Sequence, residues 1–188
     1  MRHTFQAEQW LPYPVELVFA FFVNPQNLPP LMPGWQKARV EEAALVSPPA
    51  GGAAKYRLRG VAAGAGSSVT ISFRPFPLSP LRIPWEATIT DFVWNEYFCD
   101  AQERGRGPFA YWRHCHRVLN ACRDGVSGTL VTDDVEYELP FGKLGEVAHG
   151  LLRRQIESMF AYRQRRVAEI LGRVLPAPTA AETTVNRP

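Results

Sequence analysis

Two histidines and a tryptophan occupy alternate positions of one short stretch, FAYWRHCHRV. Side chains alternate between the two faces of a β-strand, so Trp112, His114 and His116 project together if this stretch is a strand. Arg113, Cys115 and Arg117 would project to the opposite face, where water solvates the two arginines. We therefore expect the histidines and the tryptophan to face the protein interior.

The two neighbouring strands add polar side chains to the same face. A hairpin centred near Gly107 places Asp100 opposite His114, because antiparallel partners pair residue by residue. The last strand alternates an apolar-rich face, which includes Asp133 and Tyr137, with a polar one. The predicted inward-facing site residues are Asp100, Gln102, Trp112, His114, His116, Asp133 and Tyr137.

Several kinds of chemistry fit this set. An unpaired buried polar group costs roughly 1–3 kcal/mol, so the residues either form a hydrogen-bonded network that fixes strand register or line the polar end of a ligand cavity. A third reading is acid–base catalysis by His114 or His116, oriented by Asp100 or Asp133. His-x-His on a strand also suits zinc, but no third ligand at a fixed position is evident, and we predict no metal and no cofactor.

Composition excludes some classes of function. The chain has 188 residues, a net charge of +3 and 46% hydrophobic residues, which is typical of one globular domain. A net charge this small gives no argument for a nucleic-acid partner. No apolar run is long enough for a signal peptide or a membrane span, so we expect a cytoplasmic protein with no integral membrane segment.

The three cysteines lack CxxC spacing. The hairpin register sets Cys99 opposite Cys115 on the outer face, with Cβ atoms about 4.5–5.5 Å apart. Because we expect a reducing compartment, we nevertheless predict free thiols.

Alternation and turn residues predict an antiparallel sheet. A first strand is expected over residues 2–11, followed by two short helical segments that prolines interrupt. Residues 53–83 are less regular, although KYRLRG and SSVTISFR both alternate. Strands are expected in WQKARVEEAALV and over 85–94, 96–104, 110–122 and 128–139.

A long amphipathic helix is predicted over residues 143–174. Its apolar stripe is expected to contain Leu144, Val147, Ala148, Leu151, Leu152, Gln155, Met159, Phe160, Val167, Ile170 and Leu171. We expect a single domain over 1–175 and a disordered Pro/Thr/Ala tail over 176–188. Five arginines make this helix basic and are predicted to be solvated, the alternative being weak contact with an anionic membrane surface or an acidic partner. These are Arg153, Arg154, Arg163, Arg165 and Arg166.

Three stretches carry a resemblance to a known family: PVELVFAFFVNPQNLPPLMPGW, DAQERGRGPFAYWRHCHRV and TLVTDDVEYELPFGKLGEVAHGLL. They resemble the SRPBCC superfamily, which contains START domains and polyketide cyclase/dehydrase-like proteins, and in particular its bacterial ligand-binding branch. The resemblance covers about residues 3–172. It implies an α+β helix-grip fold, in which a curved antiparallel sheet wraps around a long C-terminal helix.

The resemblance also implies a hydrophobic cavity beneath that helix. We therefore predict a protein that binds or carries a small hydrophobic or aromatic ligand in this cavity. The alternative is a cyclase/dehydrase-like enzyme that acts on a polyketide-type substrate in the same place. A third reading is a regulatory protein whose ligand alters a partner interaction.

Overall fold

The computed structural model describes residues 1–50, 61–102, 105–147 and 149–174. The helices and strands follow in the order β1 (Arg2–Leu11), α1 (Val15–Phe22), β2 (Arg39–Ala44), β3 (Ser68–Phe73), β4 (Ile83–Val93), β5 (Tyr97–Gln102), β6 (Tyr111–Arg123), β7 (Val126–Glu138), α2 (Lys143–Val147) and α3 (His149–Val174). Three short 3₁₀ turns, at Pro25–Asn27, Pro29–Leu31 and Gly34–Gln36, connect α1 to β2.

The seven strands form one antiparallel sheet in the order β1-β7-β6-β5-β4-β3-β2. Tight turns join its central strands. In the β6–β7 hairpin both Asp124 and Gly125 have positive φ, of 52° and 77°, as a two-residue type I′ turn requires. The α+β class and the helix-grip arrangement of strands and helices are as predicted.

The helix α3 packs on the inner face of this sheet through one apolar stripe. Its buried residues are Ile156, Phe160, Val167 and Leu171. Val167 and Leu171 join a core with β1, α1 and β7, and Ile156 and Phe160 join a second cluster with Trp112. Across the described residues, no helix combines the length and the apolar character that a membrane crossing requires.

The predicted helix over 143–174 is described as α2 and α3, on either side of residue 148, which lies outside the described residues. Its predicted apolar stripe needs a correction. The N-terminal part of that stripe is one position out of phase: Gln155 is exposed, whereas Ile156 is 3% exposed. The reason is that Ile156 lies one turn before Phe160 and so continues its face.

Two more residues of the predicted stripe face solvent. Val147 and Leu151 are 88% and 75% exposed. The second alternating stretch of the irregular region is β3, but the first, KYRLRG, lies outside the described residues, as does the tail from residue 176. The domain limits and the disordered tail stay predictions.

The register between β5 and β6 is as predicted, and it corrects the prediction about thiols. Asp100 faces His114, Phe98 faces His116, and Cys99 faces Cys115. The two cysteines form a disulfide, so the prediction that both are free is wrong. That prediction depended on an assumed compartment, whereas the pairing of the strands brings the two sulfurs within bonding range.

The disulfide closes a loop with a sequence separation of 16 residues and should stabilise the fold. We expect reduction to lower the free energy of unfolding by roughly 2–4 kcal/mol. Urea unfolding with and without dithiothreitol measures this difference. In the matched double variant Cys99→Ala/Cys115→Ala, dithiothreitol should have no effect, since the remaining Cys122 is free and exposed. Equal urea midpoints for the wild-type protein in both conditions would contradict the expectation.

Candidate functional site

A cavity of about 150 Å³ lies between the inner face of the sheet, the segment after α1, and α3. Most of its wall is apolar or aromatic. The apolar lining comes from α1 and the 3₁₀ turns (Phe22, Val23, Pro25, Leu28, Leu31, Met32), from Ala63 and the strands (Val69, Ile71, Trp85, Ala87, Ile89, Phe98, Trp112), and from α3 (Met159, Phe160).

Four polar residues complete the lining at one end. Asp100 comes from β5, His114 and His116 from β6, and Arg163 from α3. The two histidines are 4% and 3% exposed. Because the sheet and α3 both contribute, this polar end forms only when the helix is docked.

Asp133 lies behind the two histidines and holds them. Its Oδ1 is 3.0 Å from His114 Nε2 and 2.6 Å from His116 Nδ1. On the other side of His116, an Arg163 amino group lies 3.2 Å from Nε2. A guanidinium can only donate hydrogen bonds, so Nε2 accepts and the imidazole proton is on Nδ1, facing the carboxylate. His116 is therefore neutral in the folded protein.

The pKa values agree with this assignment. Burial, followed by the nearby His114, lowers the pKa of His116 from 6.5 to about 3, although the Asp133 charge opposes the shift. Burial alone would raise the pKa of Asp133, but the electrostatic interaction with the adjacent His116 imidazole and the hydrogen bond from His114 hold that pKa well below its usual value. Asp133 is thus an ionised carboxylate in the interior.

Asp100 has the opposite environment. Burial raises the pKa of its carboxyl, and Asp133 adds to the shift, whereas His114 and Arg163 oppose it. Its Oδ2 lies 3.7 Å from His114 Nδ1, which is beyond hydrogen-bonding distance. Asp100 therefore presents its carboxyl group to the cavity, and His114 does not form a hydrogen bond to it.

The structure separates the seven predicted site residues into two groups. Asp100, Trp112, His114 and His116 line the cavity. The other three lie outside its lining. Gln102 bonds to the backbone of Phe109 on the following loop, and Tyr137 is fully buried with its hydroxyl 3.2 Å from His149 Nε2. Asp133 acts through the histidines. A ligand role for these residues stays a prediction.

Three of the polar groups have the spacing of a cation site. Ligand atoms of Asp100, His114 and His116 lie within 4.8 Å of one another. However, His114 Nε2 is bonded to Asp133, and Arg163 occupies the Nε2 side of His116. A metal ion would have to displace a positively charged guanidinium, so the arrangement favours a hydrogen-bonded network.

Sequence reasoning placed Arg163 on a solvated face, and the structure places it in the cavity wall. The sequence does indicate this position, because Arg163 follows Phe160 by three residues and precedes Val167 by four. This spacing puts Arg163 on the buried stripe of the helix. Two other arginines of α3 are paired on its outer side: exposed Arg153 with Glu157, and half-buried Arg166 with Glu169.

The depressed pKa of His116 predicts a loss of stability in acid. An unfolded histidine binds its proton near pH 6.5, whereas folded His116 does so near pH 3, so the unfolded state binds more protons between these values. The free energy of unfolding should therefore fall as pH drops from 6.5 towards 3, by on the order of 1 kcal/mol per pH unit.

Urea unfolding at pH 7 and pH 5 tests this. His116→Asn keeps a donor near Asp133 but does not titrate, so this variant should lose clearly less stability than the wild-type protein over the same interval. Equal losses in the two proteins would contradict the assignment.

No family model matches this sequence, and no curated protein matches it significantly. The fold is nevertheless similar to that of solved structures. The Zhui aromatase/cyclase from Streptomyces sp. R1128 matches with a TM-score of 0.63 and 10% identity, over 94% of this chain and 98% of that chain. Norcoclaurine synthase from Thalictrum flavum, in complex with dopamine and hydroxybenzaldehyde, matches with a TM-score of 0.55 and 14% identity, over 91% and 87%.

The structure of Ara h 8.0201 matches with a TM-score of 0.52 and 14% identity, over 90% of this chain and 99% of that chain. Identities this low compare folds rather than functions. By these comparisons and its own topology, this chain has the helix-grip fold that these structures share.

Proposed function

We propose that this protein binds a small molecule with one aromatic ring and a hydroxyl or comparable polar group. The observation that carries the proposal is the cavity itself, which combines an apolar, aromatic wall with a polar end formed by Asp100, His114, His116 and Arg163. An apolar pocket with a few convergent polar groups is the usual form of a small-molecule site.

The volume of the cavity indicates the size of the ligand. A dry apolar cavity of about 150 Å³ is known to hold benzene, and the cavity here has about the same volume. One substituted ring fits this space, whereas a fused-ring or polyketide-type molecule would extend beyond it.

Aromatic groups surround the polar end and favour a flat ligand. Phe98 and Phe22 pack on His116 with ring centroids 4.6 and 5.3 Å away, and Phe160 meets the edge of His114 at 5.5 Å. Ring–ring contacts at these distances add to the free energy of apolar burial.

Two polar groups have capacity for a ligand. The Asp100 carboxyl lies too far from His114 for a hydrogen bond, and its pKa is raised. Arg163 Nε is buried and has no hydrogen-bond partner among the described residues. A ligand hydroxyl can accept from one group and donate to the other, which would satisfy both.

The similar structures support this proposal at the level of the fold. Dopamine and hydroxybenzaldehyde, bound in the norcoclaurine synthase structure, are phenols with a single ring. A protein of similar fold therefore forms a complex with molecules of this class.

A second candidate function is acid–base catalysis of the cyclase/dehydrase type. It is favoured by Asp100, whose raised pKa and position beside His114 suit proton transfer with a bound hydroxyl compound. The cavity volume favours binding as the primary function, because a polyketide-type substrate exceeds it.

We expect p-cresol to bind with one-to-one stoichiometry in isothermal titration calorimetry. Ala87→Trp places an indole in the cavity and should abolish binding. The matched control is Ala101→Trp on the neighbouring strand, whose side chain alternates to the outer face and should leave binding unchanged. Binding that survives Ala87→Trp, or no binding to the wild-type protein, would contradict the proposal.

The polar end should distinguish p-cresol from toluene. We expect the wild-type protein to prefer p-cresol by roughly two- to tenfold, the value of one hydrogen bond. Asp100→Leu should remove this preference while retaining toluene binding. Asp91→Leu, at an exposed carboxylate on β4, is the control and should keep the preference. A preference that persists in Asp100→Leu would assign the selectivity to another group.

A further inference from the structure

We propose that one end of the sheet docks on an anionic lipid surface, independently of the cavity. The docking surface consists of the β3–β4 loop and the 3₁₀ turn before β2. Its exposed apolar side chains are Trp35 (39% exposed), Phe76 (57%), Leu78 (93%) and Leu81 (70%).

The two segments form one continuous surface. The backbone N–H of Arg74 donates to the carbonyl of Gln36 at 2.7 Å. At the other end of the loop, the Arg82 guanidinium donates to the carbonyl of Lys37 at 2.8 Å. These bonds hold the loop against the turn that carries Trp35.

The loop is also braced from inside. Ser79 is 1% exposed, and its hydroxyl bonds to both the N–H and the carbonyl of Leu81 at 3.2 Å. The Ser79 N–H in turn donates to the carbonyl of Phe76. The apolar side chains therefore project from a fixed backbone.

A leucine at position 78 does not stabilise the fold through its backbone conformation or through burial. Its φ is 65°, a left-handed conformation that favours glycine, and its side chain is almost entirely exposed. Neither backbone preference nor burial explains a large apolar side chain there. Contact with an apolar medium outside the protein would explain this side chain.

The charges around this surface are complementary to anionic lipid. Residues 33–39 and 74–82 contain Lys37, Arg39, Arg74 and Arg82 and no acidic residue. The nearby Glu41 pairs with Arg39 and lies 3.9 Å from Arg82, which leaves an excess of positive charge.

This composition fits a lipid surface better than a folded protein partner. Aromatic and leucine side chains on separate short segments, with cations between them, suit the boundary between headgroups and acyl chains. Affinity then comes from apolar insertion together with attraction to anionic headgroups.

Co-sedimentation with vesicles tests the proposal. We expect the wild-type protein to pellet with vesicles of phosphatidylcholine mixed with phosphatidylserine, and less with phosphatidylcholine alone or at high salt. The triple variant Phe76→Ser/Leu78→Ser/Leu81→Ser should lower the partition coefficient by about tenfold or more. If this variant melts at a lower temperature than the wild-type protein, Leu78→Ser alone replaces it, because that side chain is almost fully exposed.

The matched control is Val93→Ser/Leu119→Ser, which removes exposed apolar side chains elsewhere on the sheet and should leave pelleting unchanged. Equal pelleting of the triple variant and the wild-type protein would overturn the proposal, as would wild-type protein that stays in the supernatant. Analytical ultracentrifugation tests the remaining outcome, which is self-association. If the wild-type protein and the control variant self-associate, the triple variant does not, and none of them binds vesicles, this surface is an interface between copies of the chain.

Discussion

The buried carboxylate of Asp133 determines how the rest of the site is arranged. It is 4% exposed and ionised, and an unpaired charge in such a place would cost several kcal/mol. Two imidazoles from β6 face it and fix its position. In return it fixes the tautomer of His116, which leaves Nε2 free to accept from Arg163 on α3. One carboxylate thus links the central sheet to the helix that covers it.

Two carboxylates close to the same histidines have opposite pKa shifts because their partners differ. The imidazoles of His114 and His116 both face the Asp133 carboxylate and stabilise it as the anion. Asp100 is half-buried and lacks close donors, so partial burial raises its pKa, and the Asp133 charge further disfavours its ionisation. Environments that separate the pKa values of neighbouring acids allow one to act as a structural anion and the other to exchange protons or bind a ligand.

The sequence predicted the faces and the register of the central strands, because period-two alternation leaves few choices when arginines alternate with aromatic residues. It failed where a charged residue lies on an apolar stripe. Arg163 was assigned to solvent by its type, although its spacing to Phe160 and Val167 placed it inside. The disulfide was missed for a different reason: the geometry was predicted correctly, but an assumed redox environment outweighed it. The volume of the cavity depends on how every lining side chain packs, which spacing alone does not determine.

The cavity and its polar end depend on each other. If apolar side chains filled the space, Asp100 and Arg163 Nε would be buried without partners, at a cost of roughly 1–3 kcal/mol each. Space beside them allows a bound molecule to supply those partners. A ligand that bonds to both groups would therefore stabilise the folded protein beyond its apolar contacts, because it binds the native state and not the unfolded chain. Asp100 and Arg163 Nε would therefore make a ligand with a hydroxyl bind more tightly than a purely apolar one.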